Sequence, residues 1–290
     1  MNFVFYLHDE QSQEQFEQKL LWFKSRYNLV GIQDVEDCIY NGRKLSNVCH
    51  LTVDDGWRST YEVIYPVMKK HGVPFSMFVS PHVLETGMNF WYYTMKFCDE
   101  TELKQMLVDR GYYSRDAVRF PFELLAKEIL IDDVYQLLDE YVTSHHLHIE
   151  RGFCNLHELI EMKDSGLVEI GAHTMTHPIL ASVDAERSKN EITNSVLRLS
   201  ELLNKEVRTF AYPNGLKNLD FGEREMTTVK KAGIKMAFSV DPGVVSRSVN
   251  PMAIPRVGSE KRLKLGRLGL WLPSVTNQAG VRAQILKCRL

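Results

Sequence analysis

The chain has 290 residues, of which 44% are hydrophobic and 25% charged, and its formal net charge is −2. These values are typical of a globular protein that folds as one large α/β domain or two small ones. The near-neutral charge argues against nucleic acid as a partner, because nucleic-acid-binding proteins normally carry a basic face.

Cysteine usage and the N-terminal sequence bear on the compartment. The five cysteines are scattered and form no CxxC pair, which argues against a disulfide framework and favours a reducing compartment. The first residues, MNFVFYLHDEQ, lack a basic segment and lose their apolar character at His8, so they do not resemble a signal peptide. We therefore expect a cytoplasmic protein, with the inner face of the membrane as an alternative location.

Apolar runs and helical patterns alternate through the first part of the chain, which predicts an α/β fold. Ser12 with Gln15, and Ser59 with Glu62, have the spacing of capping boxes at two helix starts. The predicted strands lie at residues 3–7, 29–32, 48–53 and 75–79, with helices beginning near residues 12, 34 and 59.

Residues from about 85 to 150 break this rhythm, because they are charged, rich in helix formers and poor in strand signals. The alternation then resumes with a capping pair at Asn155 and Glu158, and with apolar residues at helical spacing from 184 to 204. Further strands are predicted at residues 167–170, 207–211 and 235–240. Together these patterns predict a single α/β domain over residues 1–290 with a helical insertion at about 85–150.

The segment LTVDDG ends a predicted buried strand with two adjacent carboxylates, Asp54 and Asp55. Adjacent strand residues point to opposite faces, so both can reach one site only where the strand ends and the backbone turns. Gly56 permits such a turn, and α/β folds place their active sites at the C-terminal ends of strands. The alternative is a solvated turn, because Asp-Gly is a common turn dipeptide.

The segment GAHTMTH carries two histidines, His173 and His177, four residues apart. Such a pair can bind one metal ion, and neutral imidazole suits zinc and neighbouring transition metals. Pro178 disfavours helical geometry at His177, so we place the pair on a loop after a predicted strand. The alternative is a pair of surface histidines that binds no metal.

The segments FAYPNG and IPRV, at residues 210–215 and 254–257, supply two further signals. Pro213 and Gly215 shape a turn that can aim backbone N–H groups into a site, although the segment could equally be a simple turn. Arg256 lies between apolar residues, and a buried Arg needs a partner such as an active-site carboxylate. The alternative for Arg256 is a surface strand with its side chain in water.

At these motifs the chain resembles the polysaccharide-deacetylase family, also called the NodB-homology family. LTVDDG is similar to the TFDDG motif of that family, GAHTMTH to its H-[ST]-x-x-H motif, and FAYPNG to the FAYPxG form of one branch. The stretch AFSVDPGVV…IPRV and the N-terminal YLHD are similar to further family segments. The resemblance covers nearly the whole chain outside the insertion, where NFWYY around Trp91 resembles an aromatic segment of the same branch.

The resemblance implies a distorted, incomplete (β/α) barrel that hydrolyses the N-acetyl group of an amino sugar. It implies a divalent metal, zinc first with cobalt, nickel or manganese as alternatives, bound by Asp55, His173 and His177. It also implies Asp54 as the general base, which must lie within hydrogen-bond reach of the attacking water.

Three residues are candidates for binding the substrate. The backbone N–H of Asn214 is positioned by its turn to stabilise an oxyanion. Trp91 and Tyr212 are candidates for stacking on sugar rings, with burial in the core as the alternative.

Two positions depart from the family pattern. The Arg of the third motif is replaced by Ala211, and we expect Arg256 to supply the missing charge that orients Asp54. No histidine follows His177, so the late Leu-x-His motif, whose His protonates the leaving amine in relatives, has no match. The candidates that remain for protonating the leaving amine are Asp54, His8 and His82.

The predicted function is removal of N-acetyl groups from a polysaccharide, an oligosaccharide, or a lipid-linked or nucleotide-linked precursor in surface-polysaccharide biosynthesis. The alternatives are a non-catalytic carbohydrate-binding relative and a deformylase acting on a lipid-linked sugar. A DxD-type glycosyltransferase fits poorly, because it does not explain HTMTH. The tail KRLKLGRLGLWLPSV is basic and apolar, so it either contacts a membrane surface or forms a terminal core element. No pattern in the sequence defines an oligomeric state.

Overall fold

A computed structural model describes residues 1–259 and 275–289 of the chain. The chain divides into two compact units. The first joins Met1–Met88 with Arg151–Leu268, and the second joins Asn89–Glu150 with Gly269–Leu290.

The first unit is built on a parallel sheet. Its strands follow the order β7-β6-β5-β4-β3-β1-β8, and β2 pairs with the start of β3. The sheet is open, since β7 and β8 form no ladder with each other among the described residues. The strands are β1 (Phe3–Leu7), β2 (Asn28–Leu29), β3 (Val48–Val53), β4 (Phe75–Val79), β5 (Val168–Ala172), β6 (Thr209–Ala211), β7 (Met236–Phe238) and β8 (Val257–Gly258).

Helices connect the strands and also form the second unit. In chain order the helices are α1 (Gln13–Lys24), α2 (Ile32–Tyr40), α3 (Tyr65–His71), α4 (Pro81–Thr86), α5 (Trp91–Thr94), α6 (Glu100–Asp109), α7 (Phe122–Ala126), α8 (Ile131–Ser144), α9 (Leu156–Asp164), α10 (Ala185–Leu203), α11 (Glu223–Lys231) and α12 (Val275–Leu286).

The central strands are buried along their whole length. Every residue of β3 and of β4 is buried, which is why both read as nearly continuous apolar runs. Helix α10 packs with one face against this core and begins at Asp184, whose side chain accepts the Arg187 N–H. The predicted apolar face of this helix is the observed one and comprises Ile192, Val196, Leu199 and Leu203.

Several predicted boundaries were wrong in detail. Ser59 makes no capping bond, and the helix after it begins as a π-helical turn at Thr60–Ile64 before α3. Strands β2, β6 and β7 are shorter than predicted. Strand β5 instead runs two residues further than predicted, so that His173 follows its last residue directly.

The second unit is helical, with an apolar core of its own. Most of it was predicted to be an insertion on a single domain; here it is a compact unit that includes the C-terminal segment. Trp91 lies in its core and is 4% exposed. No described helix is long and apolar enough to cross a membrane. The basic tail predicted to contact a membrane lies at residues 261–275, almost all of it outside the described residues.

Candidate active site

Most site residues of the first unit directly follow the C-terminal ends of parallel strands. Asp54 and Asp55 follow β3, and His173 follows β5. Asn214 lies on the turn after β6, and Arg256 comes directly before β8. Because β3, β5 and β6 are parallel, their C-terminal ends share one edge of the sheet, as ligand sites in α/β sheets do.

Asp55, His173 and His177 converge on one point. The Nε2 atoms of His173 and His177 lie 3.4 and 3.3 Å from Oδ1 of Asp55. One ligand atom from each residue lies within 4.8 Å of the others. The three residues thus form a candidate metal site, made of the residues that the sequence analysis selected.

Neighbouring groups orient these donor atoms. His173 donates from Nδ1 to the carbonyl of Ala211 at 2.7 Å, which leaves the Nε2 lone pair directed at Asp55. Trp57 donates from Nε1 to Oδ2 of Asp55 at 3.1 Å, which leaves Oδ1 to face the imidazoles. Two imidazole nitrogens and one carboxylate oxygen fit zinc and similar divalent ions.

The loops that carry these residues use unusual backbone conformations. Asp55 and Gly56 both have positive φ, 70° and 76°, so the chain turns sharply after β3 and brings adjacent carboxylates to one site. Thr174 and His177 also have positive φ, 63° and 62°. Non-glycine residues in this region are uncommon, and they concentrate at functional sites.

Asp54 is paired with Arg256. Nη1 and Nη2 of Arg256 donate to the two carboxylate oxygens of Asp54 at 2.6 and 2.8 Å. Arg256 is 0% exposed, and it also donates to Thr52 Oγ1 and to the Ser239 carbonyl. Its guanidinium is also surrounded by three aromatic rings, those of Tyr6, Phe78 and Phe238. Arg256 therefore lies in the interior beside a carboxylate, as one of the two readings of IPRV predicted.

Opposing effects set the charges of the two carboxylates. Burial alone would raise the pKa of Asp54, but Arg256 and then His173 hold this pKa below its usual value. Burial also opposes ionisation of Asp55, yet the adjacent imidazoles of His173 and His177 hold its pKa well below the usual value. Both carboxylates are therefore charged at neutral pH.

The three residues predicted to bind substrate have different surroundings. Asn214 has φ 57°, and no acceptor for its backbone N–H is found within residues 1–259 and 275–289. Tyr212 is 1% exposed, stacks on Phe221 and donates its hydroxyl to the Met252 carbonyl, so neither face is open to a sugar. Trp91 is in the core of the second unit. For both aromatic residues the alternative reading, burial in the core, is the observed one.

Some residues near the site gave no sequence signal. Glu191, in the interior of α10, accepts hydrogen bonds from the loop between the two histidines. Trp57 contacts Asp55, and Thr52 and Ser239 contact Arg256. Trp57 directly follows the first motif, and Thr52 and Ser239 lie inside quoted segments, so these three could have been suspected from their positions.

A parallel α/β sheet with an Asp-His-His cluster beside an Arg-paired carboxylate defines a candidate hydrolytic centre. The family model described as polysaccharide deacetylase matches residues 41–114 and 125–237, and the chain belongs to this family.

Named relatives agree with this assignment. The chain is 24% identical over 250 residues to a Staphylococcus aureus poly-beta-1,6-N-acetyl-D-glucosamine N-deacetylase, covering 85% of this chain and 66% of the relative. The chain thus spans just under two thirds of that relative's length. IcaB from Ammonifex degensii has a similar structure, with a TM-score of 0.61 and 18% identity over 97% of this chain and 96% of that one.

A Streptococcus pyogenes deacetylase, PplD, in complex with acetate also has a TM-score of 0.61, at 17% identity over 92% of this chain and 98% of that one. These structural likenesses confirm the predicted fold, an incomplete α/β barrel whose curled parallel sheet is surrounded by helices.

Proposed function

We propose that this chain is a metal-dependent N-deacetylase of amino sugars. The observation that carries the proposal is the Arg256-paired Asp54, which adjoins the convergence of Asp55, His173 and His177 without belonging to it. A hydrolase needs such a base beside its metal ligands, whereas a protein that only binds sugar does not.

The metal ligands would be Oδ1 of Asp55 and Nε2 of both histidines, and zinc is the ion that this donor set favours. The chemistry that such an ion supplies is polarisation of the acetyl carbonyl and activation of a water molecule. Trp57 and the Ala211 carbonyl fix the orientation of Asp55 and His173, so the donor atoms of these two residues are aligned by the protein itself.

Asp54 takes the proton of the attacking water. Arg256 occupies one lone pair on each carboxylate oxygen, and each oxygen can still accept a further hydrogen bond. As the carbonyl carbon becomes tetrahedral, the backbone N–H of Asn214 stabilises the negative oxygen. Asp54 then gives its proton to the amine nitrogen as the carbon–nitrogen bond breaks, and the products are acetate and a free amino sugar.

The substrate class follows from the relatives. A relative named as a poly-beta-1,6-N-acetyl-D-glucosamine N-deacetylase supports an N-acetylhexosamine as the group that is bound. We further propose a role in surface-polysaccharide synthesis on a polymer or on a lipid-linked or nucleotide-linked precursor. Free thiols at all five cysteines support action in a reducing compartment such as the cytoplasm. Fractionation of cells that produce the full chain would test this location.

Acetate release from N-acetylglucosamine oligomers tests the proposal, using the metal-loaded chain and three variants. Asp55→Ala should lose both metal binding and turnover. Asp54→Asn should bind metal normally and lose about 100-fold or more in kcat, the usual contribution of a general base. Asp164→Asn is the control, because Asp164 is an exposed carboxylate at the end of α9. Full activity of Asp54→Asn, or activity that survives complete metal removal, would contradict the proposal.

A further inference from the structure

Glu191 lies outside the family motifs quoted above, yet its carboxylate contacts the loop that carries both candidate histidine ligands. We infer that Glu191 is a positioning residue that holds His173 and His177 at the spacing a metal ion requires. This inference deepens the proposed function and rests on its metal site.

The contacts are specific to the loop backbone. Oε2 of Glu191 accepts the backbone N–H groups of Met175 and Thr176, both at 2.9 Å. Oε1 accepts the hydroxyl of Thr176 at 2.7 Å. One carboxylate thus binds three donors of the segment between the histidines, from a helix that begins several residues further along the chain.

The loop needs such support because its conformation is strained. Thr174 and His177 both lie in the left-handed region of φ. Inside the loop, the His177 N–H donates to Thr174 Oγ1 at 3.1 Å. Strained backbone of this kind persists only where surrounding contacts hold it in place.

Glu191 is itself fixed. It is 6% exposed and projects from the interior of the 19-residue helix α10. A buried carboxylate is costly without hydrogen bonds, and the loop donors supply them. Helix and loop are therefore mutually dependent: without the carboxylate, two partly buried N–H groups lose their acceptor.

The consequence should appear in metal affinity. Groups that orient metal ligands typically contribute about 10- to 100-fold in affinity. Glu191→Ala removes the acceptor and should let the two imidazoles separate. Glu191→Gln should restore the loop, because its amide oxygen can accept both N–H groups while its NH2 donates to Thr176 Oγ1.

The control is Glu225→Ala. Glu225 is also buried and also accepts three hydrogen bonds, from Gly222 N–H, Ser188 Oγ and Arg224 Nε. It lies at the start of α11 and makes none of the contacts to the histidine loop. Its loss should lower thermal stability without altering metal affinity, and so it measures the purely structural effect of losing a buried carboxylate.

The test is a titration of the metal-free full-length chain with Co²⁺. Binding is measured by calorimetry and by the visible absorption of the bound ion. We expect Glu191→Ala to weaken Co²⁺ binding by about 10-fold or more and to change the spectrum, and Glu191→Gln to stay within about 3-fold of the parent. Glu191→Asp, whose shorter side chain cannot reach all three donors, replaces the Ala variant if that variant does not fold.

Parent-like Co²⁺ affinity in the Ala variant, or in the Asp variant that replaces it, would overturn the inference. Equal weakening by Glu225→Ala, or equal weakening by Glu191→Gln, would overturn it as well. A parent chain that binds no Co²⁺ would overturn the proposed metal site together with this inference. A parent that binds Co²⁺ but releases no acetate would contradict the deacetylase proposal alone.

Discussion

Arg256 and Asp54, 202 residues apart in the chain, form a two-bond ion pair in the interior of the first unit. Arg256 lies in the segment between β7 and β8. Strand β8 is at one end of the strand order, whereas the third motif follows β6, next to the other end. Ala211, at the third-motif position where the family resemblance led us to expect an Arg, instead offers its carbonyl to His173. In this chain the Arg that pairs with Asp54 therefore comes from the segment directly before β8.

Replacing Arg256 by Lys should separate catalysis from metal binding. Lys keeps a positive charge but cannot make two parallel bonds, so Asp54 loses its orientation. We expect kcat to fall about 100-fold while metal affinity changes little, a loss on the scale of a general-base contribution. The pKa of Asp54 should rise, which moves the acid limb of the kcat/KM profile to higher pH.

Arg198→Lys is the matched control, because Arg198 is half-exposed and pairs with Glu85 on the surface. Unchanged kcat in Arg256→Lys would show that the pair is structural only. Arg256→Ala is less informative, since an uncompensated buried carboxylate costs about 3–5 kcal/mol and endangers the fold.

A substitution at His8 tests whether Asp54 or His8 protonates the leaving amine. The register pairs Leu7 with Val53, so His8 and Asp54 lie side by side beyond their strands. His8 is exposed, whereas Asp54 is buried at the site. If Asp54 returns the proton, His8→Gln should lower kcat by less than about 10-fold, well below a general-acid contribution. His148→Gln, an exposed change in the second unit, is the control. A loss of 100-fold or more would assign the proton to His8 instead.

The metal-site candidates were predictable because chemistry and spacing coincide in them. Two carboxylates at a strand end and two histidines four residues apart leave few residues that could be the metal ligands. Glu191 was not predictable, because a Glu in the middle of a helix usually faces solvent, and only the packing of α10 against the loop reveals its role. Tyr212 misled for a related reason, since its motif lies at the site while its ring faces the core.

Replacing Tyr212 by Phe tests that reassignment. The change removes the hydroxyl that the Met252 carbonyl accepts and leaves that acceptor unpaired. We expect a loss of about 1–3 kcal/mol in the free energy of unfolding, with KM for an N-acetylated oligosaccharide unchanged. Tyr40→Phe, which removes an exposed hydrogen bond to the Lys235 carbonyl, should cost less. A large rise in KM for Tyr212→Phe would mean that Tyr212 contacts the substrate after all.

His50 should make the stability of the chain pH-dependent. It is buried in β3, where its ring contacts the Val30 carbonyl and Ser76 Oγ. Burial lowers the pKa of His50 to about 4, although the Val30 carbonyl acts in the other direction. The unfolded chain, with a His pKa near about 6.5, binds the proton first, so stability falls as pH drops through this window.

The contribution of His50 to the free energy of unfolding should be about 2 kcal/mol smaller at pH 5 than at pH 7. His50→Gln, which stays neutral, should make the free energy of unfolding less dependent on pH in this range. The measurement is urea unfolding with a chelator present. His157→Gln, on the exposed face of α9, should leave the curve unchanged. Parallel curves for the parent and His50→Gln would show that His50 titrates alike in both states.

The fold itself was largely predictable, and the misses have physical causes. Nearly continuous apolar runs gave β1, β3 and β4 their observed bounds, because strands buried on both faces carry few polar residues. Ser59 looked like a cap by spacing alone, but its backbone is already helical and its side chain makes no capping bond. The pairing of Asn89–Glu150 with the C-terminal segment left no local pattern, because it depends on contacts between distant parts of the chain.

Anomalous diffraction at the zinc edge, from crystals of the zinc-loaded chain, tests the central claim most directly. The account predicts one peak about 2.0–2.2 Å from Asp55 Oδ1 and from Nε2 of His173 and His177, with Asp54 still paired to Arg256. A peak at another site, or one in which Asp54 leaves Arg256 to become a ligand, would contradict it.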